Sequence, residues 1–381
     1  MCGTKNSFSA RRVLLVVNSK DVQDLDEIKA LVSEAGYSIV DIVVVKNIDR
    51  GCYLTKGKLE QLRSMVKNLN VDKVCVYDEL KPRQVTCLMR ELGVEILDKV
   101  LLILEIFSLH AGSKESKLQI ELAKLKHELP LVRDWLRRAK LTELPGFLGG
   151  GRYIVDAYYR YVRSRIARIT RELEELRRRR EYERRKRKQF GIPHIAIVGY
   201  TNSGKTTLFN ALTNLDKPTG TEMFTTLSTK TYAVKICGTK VAFVDTVGFI
   251  KNIPMEIIEA FNAVLEEISD ADAILLLLDA SEPVDQVISK LDSSISLLRK
   301  IGAYGKPMAI VLNKIDRIND EELSIRIKAV KEYIENNSVN VLDVVPISAL
   351  KKLNFDRLKE CICNIVEKLQ KISLQRSMCL D

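Results

Sequence analysis

One short segment constrains the fold of this chain more than any other: an apolar run, a loop that begins and ends in glycine, and an amphipathic helix. Ile195 to Val198 predict a buried strand, and a helix begins around Lys205. Strand, GxxxxGK(S/T) loop and helix in this order are typical of a phosphate-binding loop, whose backbone N–H groups and helix N-terminus face a polyphosphate. The residues predicted to bind it are Gly199, Tyr200, Thr201, Asn202, Ser203, Gly204, Lys205, Thr206 and Thr207.

Four further motifs lie where an open α/β sheet binds its ligands. The apolar pattern after His194 predicts strands at 194–198, 230–236, 240–245, 273–279, 307–312 and 342–346. Three motifs follow strand ends and one lies after the first helix: Asp245-Thr246-Val247-Gly248, Asn313-Lys314-Ile315-Asp316, Ser348-Ala349 with Leu350, and Phe224-Thr225-Thr226-Leu227. Alone, DxxG (245–248) and Ser348-Ala349 carry no weight and NKxD (313–316) carries some, but in this order the motifs predict a P-loop GTPase domain of the Ras-like type.

The residue types predict how Mg²⁺ and the phosphates are held. Lys205 is expected to reach the β- and γ-phosphates, while the Thr206 hydroxyl and the Asp245 carboxylate hold Mg²⁺. Thr226 is expected to coordinate Mg²⁺ only when GTP is bound, with Thr225 as the adjacent alternative. The Gly248 N–H is expected to contact the γ-phosphate, so that loss of this phosphate releases both segments as a switch. The predicted catalytic residues are Lys205, Thr226 and Gly248.

The NKID motif predicts the choice of base. Asp316 can accept hydrogen bonds from the guanine N1–H and N2–H₂, a donor pair that adenine lacks. Asn313 is expected to brace the loop, the Lys314 stem to lie over the base, and Ser348-Ala349 to support the base from the other side.

The residue that follows Asp245-Thr246-Val247-Gly248, the DxxG motif, predicts slow intrinsic hydrolysis. Ras-like enzymes carry a glutamine there that orients the attacking water, whereas this chain has Phe249. A partner could supply the missing function. Asn202 resembles the asparagine that holds K⁺ in some GTPases without this glutamine, and the alternative is an ordinary loop residue.

Two other regions precede this domain. Residues 12–98 alternate strand and helix patterns, which predicts a small, mostly parallel sheet without a phosphate loop. Two heptad seams follow, from Leu118 to Leu136 and from Val155 to Leu176, separated by a proline- and glycine-rich segment at 145–151. They predict an antiparallel helical hairpin, in which Pro130 should kink or break the first helix.

Charge concentrates on the second hairpin helix. Residues 152–188 hold 15 Lys/Arg and 6 Asp/Glu, a net charge of +9 within a chain total of +11. Such a basic segment favours a polyanionic partner, above all nucleic acid, although a solvated helix face is the alternative. The eight cysteines show no CxxC spacing, which argues against a zinc site and a redox motif, and reduced thiols are expected of a cytosolic protein. A cytoplasmic protein without a membrane anchor is expected, since the N-terminus lacks a signal peptide and the longest apolar run, 273–278, is far too short to span a membrane.

The chain resembles a known family along nearly its whole length. GYTNSGKTTLFNALT, FTTL, DTVGFI, ILLLLDAS and NKID are similar to the HflX family of translational GTPases, within the Obg-HflX-like group, and so are YLTKGKLEQL, VYDELKPRQ and KESKLQIELAKLKHELP. The resemblance is to members without the extra C-terminal domain. The domains expected are 1–112, α/β; 113–190, a basic helical hairpin linker; 191–372, the GTP-binding domain; and 373–381, a tail.

The resemblance implies GTP hydrolysis with Mg²⁺ and binding to the large ribosomal subunit and its ribosomal RNA. A monomer is expected, because the glycines at 149–151 favour an internal hairpin over pairing of the heptad seams between two chains. Some members split stalled or idle ribosomes. Many relatives carry a GPGE-type loop in the hairpin, and this chain has GFLGGG there instead. The alternative function is a nucleotide-gated RNA- or ribosome-binding module with little intrinsic hydrolysis.

Overall fold

The computed structural model describes residues 11–140, 151–189, 191–215, 230–246, 248–249, 254, 257 and 262–378. The strands are β1 Arg11–Asn18, β2 Tyr37–Val45, β3 Lys73–Val76, β4 Glu95–Asp98, β5 His194–Gly199, β6 Lys230–Ile236, β7 Thr239–Asp245, β8 Ala273–Asp279, β9 Met308–Asn313 and β10 Val341–Pro346. The helices are α1 Leu25–Glu34, α2 Lys56–Asn68, α3 Pro82–Leu92, α4 Lys99–His110, α5 Lys114–Lys140, α6 Gly151–Gln189, α7 Lys205–Thr213, α8 Asn262–Asp270, α9 Val284–Lys300, α10 Asp320–Asn336 and α11 Phe355–Met378.

The chain forms two compact units. The first comprises most of residues 11–109 and 117–175, and the second comprises most of 110–116 and of the chain from 176 onward. No helix in the described part of the chain is both long enough and apolar enough to cross a membrane.

The first unit contains the predicted parallel sheet. Its strand order is β2-β1-β3-β4, and every pairing is parallel. Strand β1 is central, and the side chains from Val13 to Val17 are fully buried because helices and neighbouring strands enclose them. The sequence analysis missed β4 and α4. Strand β4 has only four residues, and α4 is apolar on nearly all sides, so neither shows a clear period.

Helices α5 and α6 form the antiparallel hairpin. Arg165 donates to Glu121 at 2.6 Å, and the Tyr158 hydroxyl donates to Glu128 at 3.4 Å, so later residues of α6 meet earlier residues of α5. The predicted seams are confirmed where buried apolar side chains line both helices, namely Leu118, Val132, Leu136, Val155, Val162 and Ile169.

Of the two outcomes expected at Pro130, a kink or a break, the break is wrong. Helix α5 runs through Pro130 without interruption. Pro130 is exposed, as is Lys126, whose carbonyl loses its usual N–H partner. Water can satisfy that carbonyl on an exposed face, and the buried seam on the other face holds the helix together.

The second unit contains the sheet predicted for the P-loop domain. Its order is β10-β9-β8-β5-β7-β6, with β6 antiparallel to β7 and the remaining pairs parallel. Strands β8 and β9 are buried on both faces, as expected of the centre of a doubly covered sheet. The motif at 245–248 begins on the last residue of β7, and the motif at 313–316 begins on the last residue of β9. These motifs therefore lie at the carboxyl edge of one sheet.

The expectation of reduced thiols is wrong for four cysteines. A disulfide joins Cys52, before α2, to Cys87 on α3, with Cα atoms 5.2 Å apart. A second joins Cys237, in the β6–β7 turn, to Cys363 on α11, with Cα atoms 6.0 Å apart. Both separations suit a disulfide. The partners are 35 and 126 residues apart in sequence, so only the tertiary fold brings them together.

Candidate nucleotide-binding site

The phosphate-binding loop adopts the predicted strand–loop–helix form. It leaves β5 at Gly199 and enters α7 at Lys205, whose side chain points back into the loop and donates to the Tyr200 carbonyl at 2.6 Å. Burial lowers the pKa of Lys205 to about 8, an effect that the carboxylate of Asp245 opposes. A buried ammonium held by a backbone carbonyl is ready to exchange that carbonyl for a phosphate oxygen.

The DxxG segment is tied to the phosphate loop through its backbone. The Phe249 N–H donates to the Gly199 carbonyl at 2.9 Å, and the Phe249 carbonyl accepts from the Thr201 N–H at 2.9 Å. The Phe249 side chain is buried. This side chain therefore packs inward, and the residue at the glutamine position acts through its backbone.

Two other contacts fix the same segment. The Thr246 hydroxyl donates to the Ile197 carbonyl at 2.8 Å. A Cβ added to Gly248 would lie 2.8 Å from Thr201 Cγ2 and 3.1 Å from Lys205 Nζ. A side chain at this position would crowd the phosphate loop, and glycine lets the backbone pass close to Lys205.

Asn313 joins the phosphate loop to the base loops. Its Nδ2 donates to the Ser203 carbonyl at 2.8 Å, and its Oδ1 accepts from the Ala349 N–H at 2.9 Å. The side chain is 2% exposed, so both bonds lie away from water. Gly204 has φ +94°, and a Cβ there would collide with Asn313 Nδ2. The bracing role predicted for Asn313 therefore has a definite geometry.

Asp316 is placed as an ionised acceptor. A hydrogen bond from Ser348 holds the pKa of Asp316 below its usual value, and the ammonium of Lys351 lowers it further. Lys351 Nζ lies 3.7 Å from Asp316 Oδ2. Ser348 is fully buried, and its Oγ accepts from the Lys351 N–H at 3.1 Å. A charged carboxylate on this edge can accept two N–H donors from a base.

Sequence reasoning missed the residue that positions Lys314. Asp279, the last residue of β8, contacts Lys314 Nζ through Oδ2 at 2.6 Å. Its other oxygen accepts from the N–H and the hydroxyl of Ser281 at 2.9 and 2.6 Å. Lys314 has φ +67°, and the ion pair fixes where its stem runs. The signal was present, because an aspartate ends a buried strand at the same sheet edge as the other motifs.

The side chains proposed to hold Mg²⁺ fit that ion chemically. Asp245 is fully buried at the end of β7, and Thr206 lies in the first turn of α7. A carboxylate and a hydroxyl are hard oxygen donors of the kind that Mg²⁺ prefers.

Some predicted residues lie at the periphery of the site or outside the described residues. Asn202 is exposed with φ +61°, and Leu350 is 74% exposed. The Ile315 N–H donates to the Ile347 carbonyl at 3.2 Å. Thr207 follows Thr206 on α7 and is partly buried. The residues outside the described part of the chain are Phe224, Thr225, Thr226 and Val247.

Three family models match successive parts of the chain. Residues 22–108 match the model described as GTP-binding GTPase N-terminal, and residues 110–187 match GTP-binding GTPase Middle Region. Residues 194–314 match 50S ribosome-binding GTPase.

Several known proteins are similar over most of their length. A GTPase HflX from Hyperthermus butylicus is 50% identical over 330 residues, 86% of this chain and 88% of that protein. A GTPase HflX from Saccharolobus solfataricus is 41% identical over 90% of this chain and 96% of its own length. The crystal structure of a GTP-binding protein from Sulfolobus solfataricus in complex with GDP matches with a TM-score of 0.51 and 36% identity, covering 94% of this chain and 99% of that one.

Proposed function

This chain belongs to the HflX family of GTPases, and we propose that it works as a GTP-dependent switch on the large ribosomal subunit. It is a GTPase that converts GTP to GDP and phosphate. The ribosomal part of the proposal rests chiefly on the charge of the hairpin. Helices α5 and α6 hold 23 Lys/Arg and 10 Asp/Glu, a net charge of +13, which exceeds the +11 of the whole chain. Ribosomal RNA is the polyanion that such a surface would meet.

The proposed roles in nucleotide binding follow the geometry. Lys205 exchanges the Tyr200 carbonyl for β- and γ-phosphate oxygens. Asp316 accepts from guanine, and Asp279 holds Lys314 where its stem covers the base. Guanine rather than adenine is selected, because an ionised carboxylate here needs two N–H donors.

Mg²⁺ would be held by Thr206 and Asp245, with Thr226 joining when GTP is bound. The ion would neutralise charge that develops on the phosphate oxygens. The Gly248 N–H would donate a hydrogen bond to the γ-phosphate, so that loss of this phosphate would release the DxxG segment. K⁺ beside Asn202 is a further proposal, and dependence of turnover on K⁺ over Na⁺ would test it.

The proposed division of labour follows the expected domains. The α/β domain at 1–112 and the hairpin at 113–190 would contact ribosomal RNA, while the domain at 191–372 would bind the nucleotide. The buried Phe249 supports slow hydrolysis by the protein alone and activation by the subunit. We propose that the protein acts as a monomer and that splitting or rescue of ribosomes is the outcome of its binding.

Co-sedimentation tests the switch. The full chain is pelleted with large ribosomal subunits in a non-hydrolysable GTP analogue, in GDP and without nucleotide. We expect pelleting with the analogue and release with GDP, and loss of this difference in Lys205→Ala. Equal pelleting in GTP analogue and GDP would refute the switch and leave a nucleotide-independent RNA-binding protein.

A further inference from the structure

Two tyrosines on α6 stack on each other at the protein surface. The ring centroids of Tyr158 and Tyr161 are 6.3 Å apart, and their planes are 25° apart. Tyr158 is 40% exposed and Tyr161 is 59% exposed. Ile154, which is 50% exposed, lies one turn earlier on the same face, since positions 154, 158 and 161 are four and three residues apart. This stripe leaves apolar surface in water, which marks it as a candidate binding surface.

The pair is anchored on one side. The Tyr158 hydroxyl donates to Glu128 Oε2 on α5 at 3.4 Å. Two helical turns further along α6, Arg165 forms two hydrogen bonds with Glu121, at 2.6 and 2.8 Å, which locks the two helices side by side. Tyr158 is thereby oriented by the hairpin, and Tyr161 rests on its ring. An aromatic platform that is ordered before binding loses little conformational entropy when a ligand stacks on it.

The charges around the pair favour an anionic partner. From Gly151 to Thr170, α6 contains five arginines and one acidic residue. Arg160 and Arg163 flank Tyr161 in sequence and are exposed. An apolar stripe without this charge would suit a protein partner equally well. Aromatic rings interleaved with arginines suit a nucleic acid strand, because bases stack on the rings while phosphates meet the guanidinium groups.

We propose that Tyr158 and Tyr161 form a stacking platform for unpaired RNA bases. The ligand must be single-stranded or looped RNA, because the base faces of a duplex are already stacked on their neighbours. The inference rests on the proposed function, since ribosomal RNA would supply such bases, and it narrows the RNA partner to a strand whose bases are unstacked. Tyr161, as the more exposed ring, would receive the first base.

Fluorescence of a base analogue tests the platform. The full chain is titrated into a short single-stranded oligoadenylate that contains 2-aminopurine, and into a duplex RNA of the same length. Stacking on a tyrosine quenches 2-aminopurine. We expect Tyr161→Leu to weaken single-strand binding about tenfold and to remove most of the quenching, because one base–aromatic stack is typically worth about 1–3 kcal/mol. Duplex binding should change less than about twofold.

Two variants make the result specific. Tyr161→Phe keeps the ring and should retain both affinity and quenching. Tyr232→Leu removes a tyrosine of similar exposure, 45%, from β6 and should have no effect. The platform is refuted if Tyr161→Leu binds and quenches like the unmodified protein, or if Tyr161→Phe loses as much as Tyr161→Leu. Folding of each variant is checked by its thermal unfolding midpoint.

The failure of this inference and that of the proposed function give different results. If the unmodified protein pellets with large subunits in the GTP analogue and Tyr161→Leu does so equally well, with unchanged single-strand binding, only the platform fails. If the unmodified protein pellets in no nucleotide state, the ribosomal function fails, and the oligonucleotide titration still decides whether the tyrosines stack on bases.

Discussion

Replacing Asn313 by alanine should damage stability and nucleotide binding together. The side chain makes two buried hydrogen bonds, to the Ser203 carbonyl at 2.8 Å and from the Ala349 N–H at 2.9 Å. Alanine removes both and leaves two backbone groups unpaired in residues that are 1% and 3% exposed. Each buried unsatisfied group costs about 1–3 kcal/mol, so the expected loss of unfolding free energy is about 2–6 kcal/mol.

This loss is a large part of a typical domain stability of about 5–15 kcal/mol. Guanidinium unfolding of the nucleotide-free protein measures it. GTP affinity should fall at least about tenfold, because Asn313 is the link between the backbone under the phosphates and the loop beside the base. Calorimetric titration with GTP measures that second effect at a temperature where the variant stays folded.

Asn319→Ala provides the matched control. Asn319 accepts from the Glu322 N–H at 2.8 Å as the exposed N-cap of α10 in the same domain. Its loss should lower stability by about 1 kcal/mol and leave GTP affinity unchanged. The bracing role of Asn313 is refuted if Asn313→Ala lowers stability by no more than Asn319→Ala, or if Asn313→Ala binds GTP like the unmodified protein.

Three further predictions address separate parts of the structure. GTP affinity should be constant below about pH 8 and fall above it by up to about tenfold per pH unit, because the free protein loses the Lys205 proton there and must regain it to bind phosphates. Titrations with GTP at several pH values check this, and an affinity that does not change with pH contradicts it. Asp279→Asn should raise KM for GTP about tenfold with kcat nearly unchanged, because Lys314 loses its charged partner at 2.6 Å, and an equal fall in kcat would instead indicate a disturbed reaction centre. Replacing Cys52 and Cys87 together by serine should lower the free energy of unfolding by up to about 4 kcal/mol, as loop-closure entropy predicts for a separation of 35 residues. An unchanged unfolding midpoint in denaturant would show that the disulfide does not stabilise the protein.

The G domain could be predicted because its signals are local. A buried strand, a phosphate loop and an amphipathic helix occupy consecutive residues, and the later motifs follow strands that are apolar enough to recognise. Parallel strands then bring those motifs to one edge, whatever the details of packing. The contacts made by Asn313 show that the predicted residues meet across 110 positions of sequence.

The features that could not be predicted depend on tertiary contacts. Helix α4 is enclosed on nearly all sides and so lacks the polar face that would reveal its period. Helix α5 passes through Pro130 because packing elsewhere along the helix outweighs one missing hydrogen bond. The bond from Cys237 to Cys363 spans 126 residues and has no spacing signal. Asp279 differs from these, since its place at the end of a buried strand was visible in the sequence and only its pairing with Lys314 needed the structure.

GTP turnover with and without purified large ribosomal subunits tests whether the ribosome activates this GTPase. We expect slow turnover by the protein alone, since Phe249 packs inward and offers no group to orient water, and strong stimulation by subunits. Where a partner completes such a site, the gain is on the order of 10³–10⁵. Stimulation should disappear in Lys205→Ala. Turnover that is unchanged by saturating large subunits would rule out activation of this GTPase by the ribosome.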